Sequence, residues 1–302
     1  PHHHAGEFER RIETLLSVIA QVLRRIHHFG LVGFVSSDRL VSMSWDPTQY
    51  LKFAGERLRP AVDLLDRVPL VADGDSEMAV VDLGCGAGNL TPLIQLRWPQ
   101  AKHIGVDASG TMLAKARQDY PAAEFIEADI ATWRPDQPVD LLYSNAALHW
   151  LNDHETLIPG LLDCLKPGGW LAIQMPRNFD AKSHMCIVDA IELGPWRSKL
   201  EPHLRRRPVA EPATYWQMLQ ERTASLEIWE TEYLQVLSGA NPVAEYTKGT
   251  WLKQFLDRLE EPERSAFEAD YRQRVVLHYP KQADGRTLFP FRRLFILAQK
   301  PL

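Results

Sequence analysis

Glycine recurs at every second position in one short stretch, at Gly84, Gly86 and Gly88, just after Asp82. Glycines spaced this way let a ligand approach the backbone closely. The pattern is G-x-G-x-G, which differs from the G-x-G-x-x-G of dinucleotide sites. Two more acids, Asp107 and Asp129, end later apolar runs. An acid in the position of Asp107 can accept from both hydroxyls of a ribose. An acceptor in the position of Asp129 can receive the amino group of an adenine. Three acids around one point disfavour a pyrophosphate, because like charges repel. They suit a ligand that carries adenosine and positive charge without phosphate. S-adenosylmethionine has that make-up. Any one of these aspartates could instead cap a helix or close a turn.

The elements around them alternate. AVVDLG, KHIGVDAS, AEFIEADI, VDLLYSNAAL and WLAIQMP read as short buried strands. Between them NLTPLIQLRW, SGTMLAKARQDY and HETLIPGLLDCL read as helices, with Ser109 as an N-cap, and KPGG reads as a turn. Strands alternating with helices at this spacing mean βαβ units, hence a parallel sheet with helices on both faces. Ligands of such sheets bind at the carboxyl ends of the strands. Asp82, Asp107, Asp129 with Ile130, and Ser144 with Asn145 and Ala146 all fall there. In the tail, LEIWETEYLQVL and FRRLFILAQK supply two last strands. Proline-punctuated helical segments within 180–280, among them one helix over NPVAEYTKGTWLKQFLDRL (241–259), form a helical cap. The expected class is therefore α/β, a Rossmann-like and mainly parallel seven-stranded sheet with a C-terminal helical cap.

The bulk numbers narrow the partners. A chain of 302 residues fits one large α/β domain, or one domain with an insertion. Its net charge of -5 offers no basic excess for nucleic acid or an anionic membrane surface. Three cysteines without a CxxC argue against a disulfide framework or a structural zinc, and fit a reducing cytoplasm. No apolar run reaches the ~18 residues that span a bilayer. Residues 1–42 hold a helix-like apolar periodicity with mixed arginine and glutamate, and Met43 opens MSWDPTQYLKF. We read 1–42 as an N-terminal extension and 43–302 as the working domain.

The motifs VVDLGCGAGN, IGVDAS, FIEADI, DLLYSNAALHW and LKPGGWLAIQMP, over residues 75–176, resemble the class I S-adenosylmethionine-dependent methyltransferases. The resemblance implies that Asp82, Gly84 and Gly86 hold the amino-acid end of the cofactor. It places Asp107 on the ribose hydroxyls with Ser109 and Met112 beside it. Asp129 and Ile130 would flank adenine, and Asn145 and Ala146 the methylthio group. From Met43 onward, WDPTQYLKFAGERLRPAVDLLDRVPL, AALHWLNDHETLIPGLLDCLKPGGWLAIQMPRNFD and LFPFRRLFILAQK are similar to the trans-aconitate 2-methyltransferase family. That family is bacterial and cytoplasmic and esterifies one carboxylate of a small tricarboxylic acid. Its usual glutamine before the tryptophan after strand four is replaced here by His149.

Such an acceptor sets the chemistry required. A carboxylate with a pKa near ~4 is already ionised at neutral pH, so no general base is needed. His149 is the one acid–base candidate, and otherwise lines the acceptor pocket with Trp150 or packs in the core. Carboxylates that do not react need cations, and arginine forks suit them. Candidates are Arg57, Arg59, Arg177, Arg286, Arg292 and Arg293. Arg177 stands out because it follows a strand end. Adjacent strand residues face opposite ways, so only one of Arg292 and Arg293 serves; Arg292 is entered with Arg177. Tyr50, Phe53 and Arg57 fall at helical spacing after Trp45, so this segment either folds over the cofactor or packs as core. Rival acceptors are a malonyl carrier-protein ester, with RRRP at 205–208 as its basic patch, a different carboxylic acid, and a quinone ring with His149 as base. A non-catalytic cofactor-binding module is the rival of another class.

Overall fold

A computed structural model describes residues 54–69 and 78–302, without the side chains of 54–57. Seven strands form one sheet in the order β3-β2-β1-β4-β5-β7-β6. They are β1 Ala79–Leu83, β2 Lys102–Asp107, β3 Glu124–Glu127, β4 Val139–Asn145, β5 Leu165–Pro176, β6 Ser225–Leu237 and β7 Thr287–Gln299. β1 through β5 pair in parallel, and β7 runs antiparallel to both β5 and β6. The expected mainly parallel, seven-stranded sheet is therefore present.

Burial explains why these runs become central strands. Val80, Val81 and Leu83 of β1, and Leu171, Ala172 and Ile173 of β5, are buried whichever way they point. Both faces must therefore be covered, as a parallel sheet requires. Helix α1 (Ala54–Arg67) places Ala61, Leu64 and Leu65, with Val68 just beyond, at helical spacing. They pack on Val80, Leu141, Tyr143, Ala172, Phe295 and Leu297, joined by Leu90, Ile94 and Trp98 of the α2 (Thr91–Arg97) region. Helix α3 (Gly110–Asp119) buries Leu113 and Ala116 against Cys85 and Phe125. Helix α4 (His154–Asp163) buries Leu157, Ile158, Leu161 and Leu162. β6 instead alternates at its C-terminal half, Tyr233, Gln235 and Leu237 in, Leu234 and Val236 out, as an edge strand does.

Between β5 and β6 lie α5 (Lys182–Leu193), α6 (Arg197–Leu200) and α7 (Pro212–Leu219). Between β6 and β7 lie α8 (Pro242–Lys248), α9 (Lys253–Leu256) and α10 (Glu263–Val276), and α10 packs on α5. Two local expectations change. KPGG is no free turn: it lies inside β5, where the register slips from Val139↔Leu165 to Leu141↔Trp170. Lys166–Gly169 bulge there opposite Asp140, whose carboxylate takes Lys166 Nζ and the Ala79 N–H, each at 2.8 Å. The long helix expected over 241–259 is broken at Gly249 into α8 and α9. Among the described residues no helix is long and apolar enough to cross a membrane.

Candidate active site

The glycine loop leaves β1 in the left-handed region, with φ of +76° at Gly84, +55° at Gly86 and +74° at Gly88. Its glycines do different jobs. A Cβ on Gly84 would overlap the Cβ of Ala147, so that glycine admits the turn after β4 and not a ligand. A Cβ on Gly86 would meet only Met112 Sδ, at 3.3 Å. The Gly86 N–H donates to Asp107 Oδ2 at 2.9 Å, and the Ser109 N–H donates to Asp107 Oδ1 at 2.8 Å. Ser109 caps α3, its Oγ accepting from the Met112 N–H at 3.4 Å. Gly86, Asp107, Ser109 and Met112 thus form one half-buried cluster.

Asp82 lies beneath that cluster, 1 % exposed, and Oδ2 has no hydrogen-bond partner. Burial, helped by the charge of Asp107, pushes its carboxyl up to about 7. Asp129 is exposed and spends Oδ1 on the Ala131 N–H at 2.9 Å, so it closes the turn after β3. Ile130 is buried and reaches toward Gly84.

At the end of β4, Ser144 Oγ donates to the Leu83 carbonyl at 3.0 Å, tying two strand ends together. Asn145 Oδ1 is buried without a partner. Ala146 takes a left-handed φ of +53°, rare for a residue with a Cβ, and its N–H donates to the Gln174 carbonyl at 2.9 Å. A 3₁₀ turn, Leu148–Trp150, follows. It is held from outside. His154 Nε2 meets the Leu148 carbonyl at 2.9 Å, and His154 Nδ1 meets Tyr215 Oη at 2.8 Å. Burial lowers the pKa of His154, so it is neutral: Nε2–H donates to the carbonyl and Nδ1 accepts from the tyrosine. Arg205 donates to the carbonyls of His149 and Leu151, at 3.0 and 2.7 Å. The RRRP tract therefore contributes a half-buried clamp at its first arginine, not a solvated patch throughout.

His149 is buried, and Nδ1 has no partner. Burial, then the charges of Arg293 and Arg205, hold its pKa well below the ordinary value, so the ring is neutral at pH 7. It packs on Trp150 with centroids 4.7 Å apart, and Trp150 stacks on Trp251 at 5.0 Å. Phe179 meets Trp251 edge-on at 4.9 Å. His149 and Trp150 are thus brought together with Trp251, more than a hundred positions away.

The arginines sort by face and partner. Arg177 forms ion pairs with Glu211 and Glu230 and donates Nε–H to the Ala210 carbonyl at 3.3 Å. Its guanidinium is committed to structure. Arg292 is half-exposed, 3.9 Å from Asp180. Arg293 is the buried one, 5 % exposed, over the Phe291 ring at 4.4 Å and 3.4 Å from Tyr246 Oη. It is also the arginine whose charge acts on His149 and His184. Trp45 and Tyr50 lie outside the described residues, as does the side chain of Arg57 in the first turn of α1. Gln174, His154, Tyr215 and Trp251 carry no signal in the sequence. Arg205 stands out there only as part of a basic tract, and Arg293 only through the alternation in its strand.

These residues fit S-adenosylmethionine. A buried carboxylate at Asp82 with Oδ2 unpartnered calls for a cation, Asn145 offers a free acceptor, and Gly86 leaves the approach open. Residues 80–169 match a family model described as a methyltransferase domain. A trans-aconitate 2-methyltransferase of Azoarcus sp. (strain BH72) is 48% identical over 255 residues, covering 84% of this chain and 98% of its own. One from Rhodopseudomonas palustris (strain BisB18) is 45% identical over 257 residues, covering 85% and 99%. Among solved structures the YcgJ protein of Bacillus subtilis aligns with a TM-score of 0.50 at 15% identity, over 80% of this chain and 97% of its own, which speaks for the fold alone. Identity of this extent shows that the chain belongs to the trans-aconitate 2-methyltransferase family.

Proposed function

We propose that this protein esterifies one carboxylate of trans-aconitate, or of a closely similar polycarboxylic acid, using S-adenosylmethionine as methyl donor. When bound, the donor supplies a methyl group on a positively charged sulfur, ready for in-line displacement. The chain's own tasks are to bind, orient and keep water out. The observation that carries the reading is the relatives' identity over nearly their full length, together with a site whose unpartnered oxygens, Asp82 Oδ2 and Asn145 Oδ1, suit that donor.

The acceptor carboxylate arrives ionised and needs no base. A neutral, buried His149 agrees with that: it offers a polar wall without taking a proton. Holding both reactants in attack geometry can supply ~7–11 kcal/mol of the barrier. The turn after β4 is built for such holding, since Gly84, Arg205 and His154 fix it from three sides. Asp82, Gly84, Gly86, Asp107, Ser109, Met112, Asp129, Ile130, Asn145 and Ala146 make up the donor side of this reading, with Gly84 acting through Ala147. His149 and Trp150 line the acceptor side. We further take residues 43–302 as the catalytic domain, 1–42 as an extension that catalysis does not require, and the cytoplasm as the compartment, with a free small molecule as acceptor.

The test is methyl transfer from labelled S-adenosylmethionine to trans-aconitate, run beside malonyl carrier-protein and phenolic acceptors. Label recovered in an aconitate ester is the expected result. Cofactor binding without transfer to any carboxylic acid would reject it.

A further inference from the structure

Strand alternation puts a row of side chains on the α1 side of the sheet. Val80, Tyr143, Ala172 and Phe295 belong to the core beneath α1, so Asp82, Asn145, Gln174 and Arg293, two residues from them along the same strands, share that face. Asn145 stands opposite Gln174, and Pro176 opposite Arg293. Along β1, β4, β5 and β7 the row therefore runs from a carboxylate, through two amides, to a guanidinium. Its charge reverses from one end to the other.

Gln174 is the odd member. It is fully buried, and neither Nε2 nor Oε1 has a hydrogen-bond partner. A buried amide without partners costs stability, and an apolar chain of the same length would fill the space. Asn145 beside it has the same defect at Oδ1. Beyond it, Arg293 brings a buried positive charge under Tyr246 of α8. Hydrogen-bond donors and a cation at that end suit an anion, as the carboxylate of Asp82 at the other end suits a cation. Neighbouring strands lie about 4.8 Å apart, so β4 to β7 is about 10 Å, a span that fits an extended six-carbon polycarboxylate.

We infer that Gln174 and Arg293 bind a carboxylate of the acceptor that does not react, and that this pair selects polycarboxylic over simpler acids. The inference rests on the proposed carboxyl methylation. The Gln174 amide N–H donates to the carboxylate, and the guanidinium of Arg293 supplies charge and a second donor. His149, uncharged, lines the acceptor side without competing for the anion.

The test compares wild type, Gln174→Met and Arg293→Lys, each loaded with S-adenosylhomocysteine. Trans-aconitate and crotonate, a monocarboxylic acid, are titrated in by calorimetry, and thermal melts are recorded. Each variant is expected to weaken trans-aconitate binding about tenfold while the affinity for S-adenosylhomocysteine stays within about twofold. The loss should shrink for crotonate, which has no second carboxylate for the pair to hold. Gln174→Met should melt at the wild-type temperature or above it, because it removes unpartnered polar atoms. Equal losses for both acids, trans-aconitate binding as tight as wild type, or a lower melting temperature for Gln174→Met would each overturn the subsite. So would wild type that binds no trans-aconitate. Wild type that binds it through this pair but transfers no methyl would instead reject the methylation reading and leave the subsite standing.

Discussion

Arg205 forks onto the carbonyl of His149, 3.0 Å away, and onto that of Leu151, 2.7 Å away. A residue 56 positions along the chain thereby fixes the turn that carries His149 and Trp150. Charge-assisted hydrogen bonds to two half-buried carbonyls are worth more than a surface ion pair. Arg205→Ala should cost about 2 kcal/mol of stability. It should also raise the KM for the acceptor while leaving cofactor affinity unchanged. Arg205→Lys should recover little, since one ammonium cannot span both carbonyls. Thermal melts with initial-rate kinetics decide; equal losses of acceptor and cofactor binding would mean the turn is not the part affected.

Gly84 and Gly86 look alike in sequence and should behave differently. Gly84→Ala combines a left-handed φ with overlap onto Ala147. It should cost about 3 kcal/mol or more, or yield no folded protein. Gly86→Ala meets only the flexible end of Met112. It should fold at a cost of about 1–2 kcal/mol. Cofactor affinity should nevertheless fall, because the added methyl group stands in the open approach to the loop. Melting curves with and without S-adenosylhomocysteine check both variants. Similar melting temperatures for the two would refute the distinction.

These contrasts show where the sequence was readable. Asp82, Asp107 and Asn145 sit at strand ends, and strand ends follow from local apolar runs, so the positions that the proposal gives to the donor could be located in the sequence. The proposed acceptor side is assembled from afar. Arg177 follows a strand end as an acceptor cation should, yet Glu211 and Glu230, 34 and 53 residues on, neutralise it. Alternation in β7 says that Arg292 and Arg293 part ways. Which of them is buried depends on β5 and α8, which local sequence does not report. Gln174 reads as one polar residue in an apolar strand, with no hint that both of its amide atoms go unpartnered. KPGG has the composition of a turn, and only its pairing opposite Asp140 makes it a bulge.

His149 should not act as a base. Its ring is held neutral chiefly by burial, and a carboxylate acceptor has no proton to give. With both substrates saturating, kcat should be flat from about pH 6.5 to 8.5, above the range where either the acceptor carboxyl or His149 titrates. His149→Gln, which keeps a polar side chain, should preserve that flat profile and lose less than about tenfold in kcat. A general base contributes about 10²–10⁴-fold. A loss of that size, with a new pH dependence, would show that proton transfer is part of the reaction.

Asp82 sets function against stability, and the sign follows from its burial. Its carboxyl is raised from 3.8 to about 7 in the folded protein. Below pH 3.8 it is protonated, folded or unfolded, and costs nothing. As pH rises from 3.8 towards about 7 the unfolded chain gives up a proton that the folded protein keeps, so stability is lost across that range and levels off above it. Asp82→Asn removes that penalty, so without cofactor the variant should be more stable than wild type at pH 8, by on the order of 3 kcal/mol, with little difference near pH 4. The same substitution should abolish binding of S-adenosylmethionine, whose ammonium needs the ionised carboxylate. In wild type, cofactor binding at pH 6.5 should release a proton, because it favours the charged form of Asp82. Calorimetry in buffers of different ionisation enthalpy reads that proton directly. A binding enthalpy independent of buffer, or an Asp82→Asn variant less stable than wild type at pH 8, would show that Asp82 is already charged and compensated in the free protein.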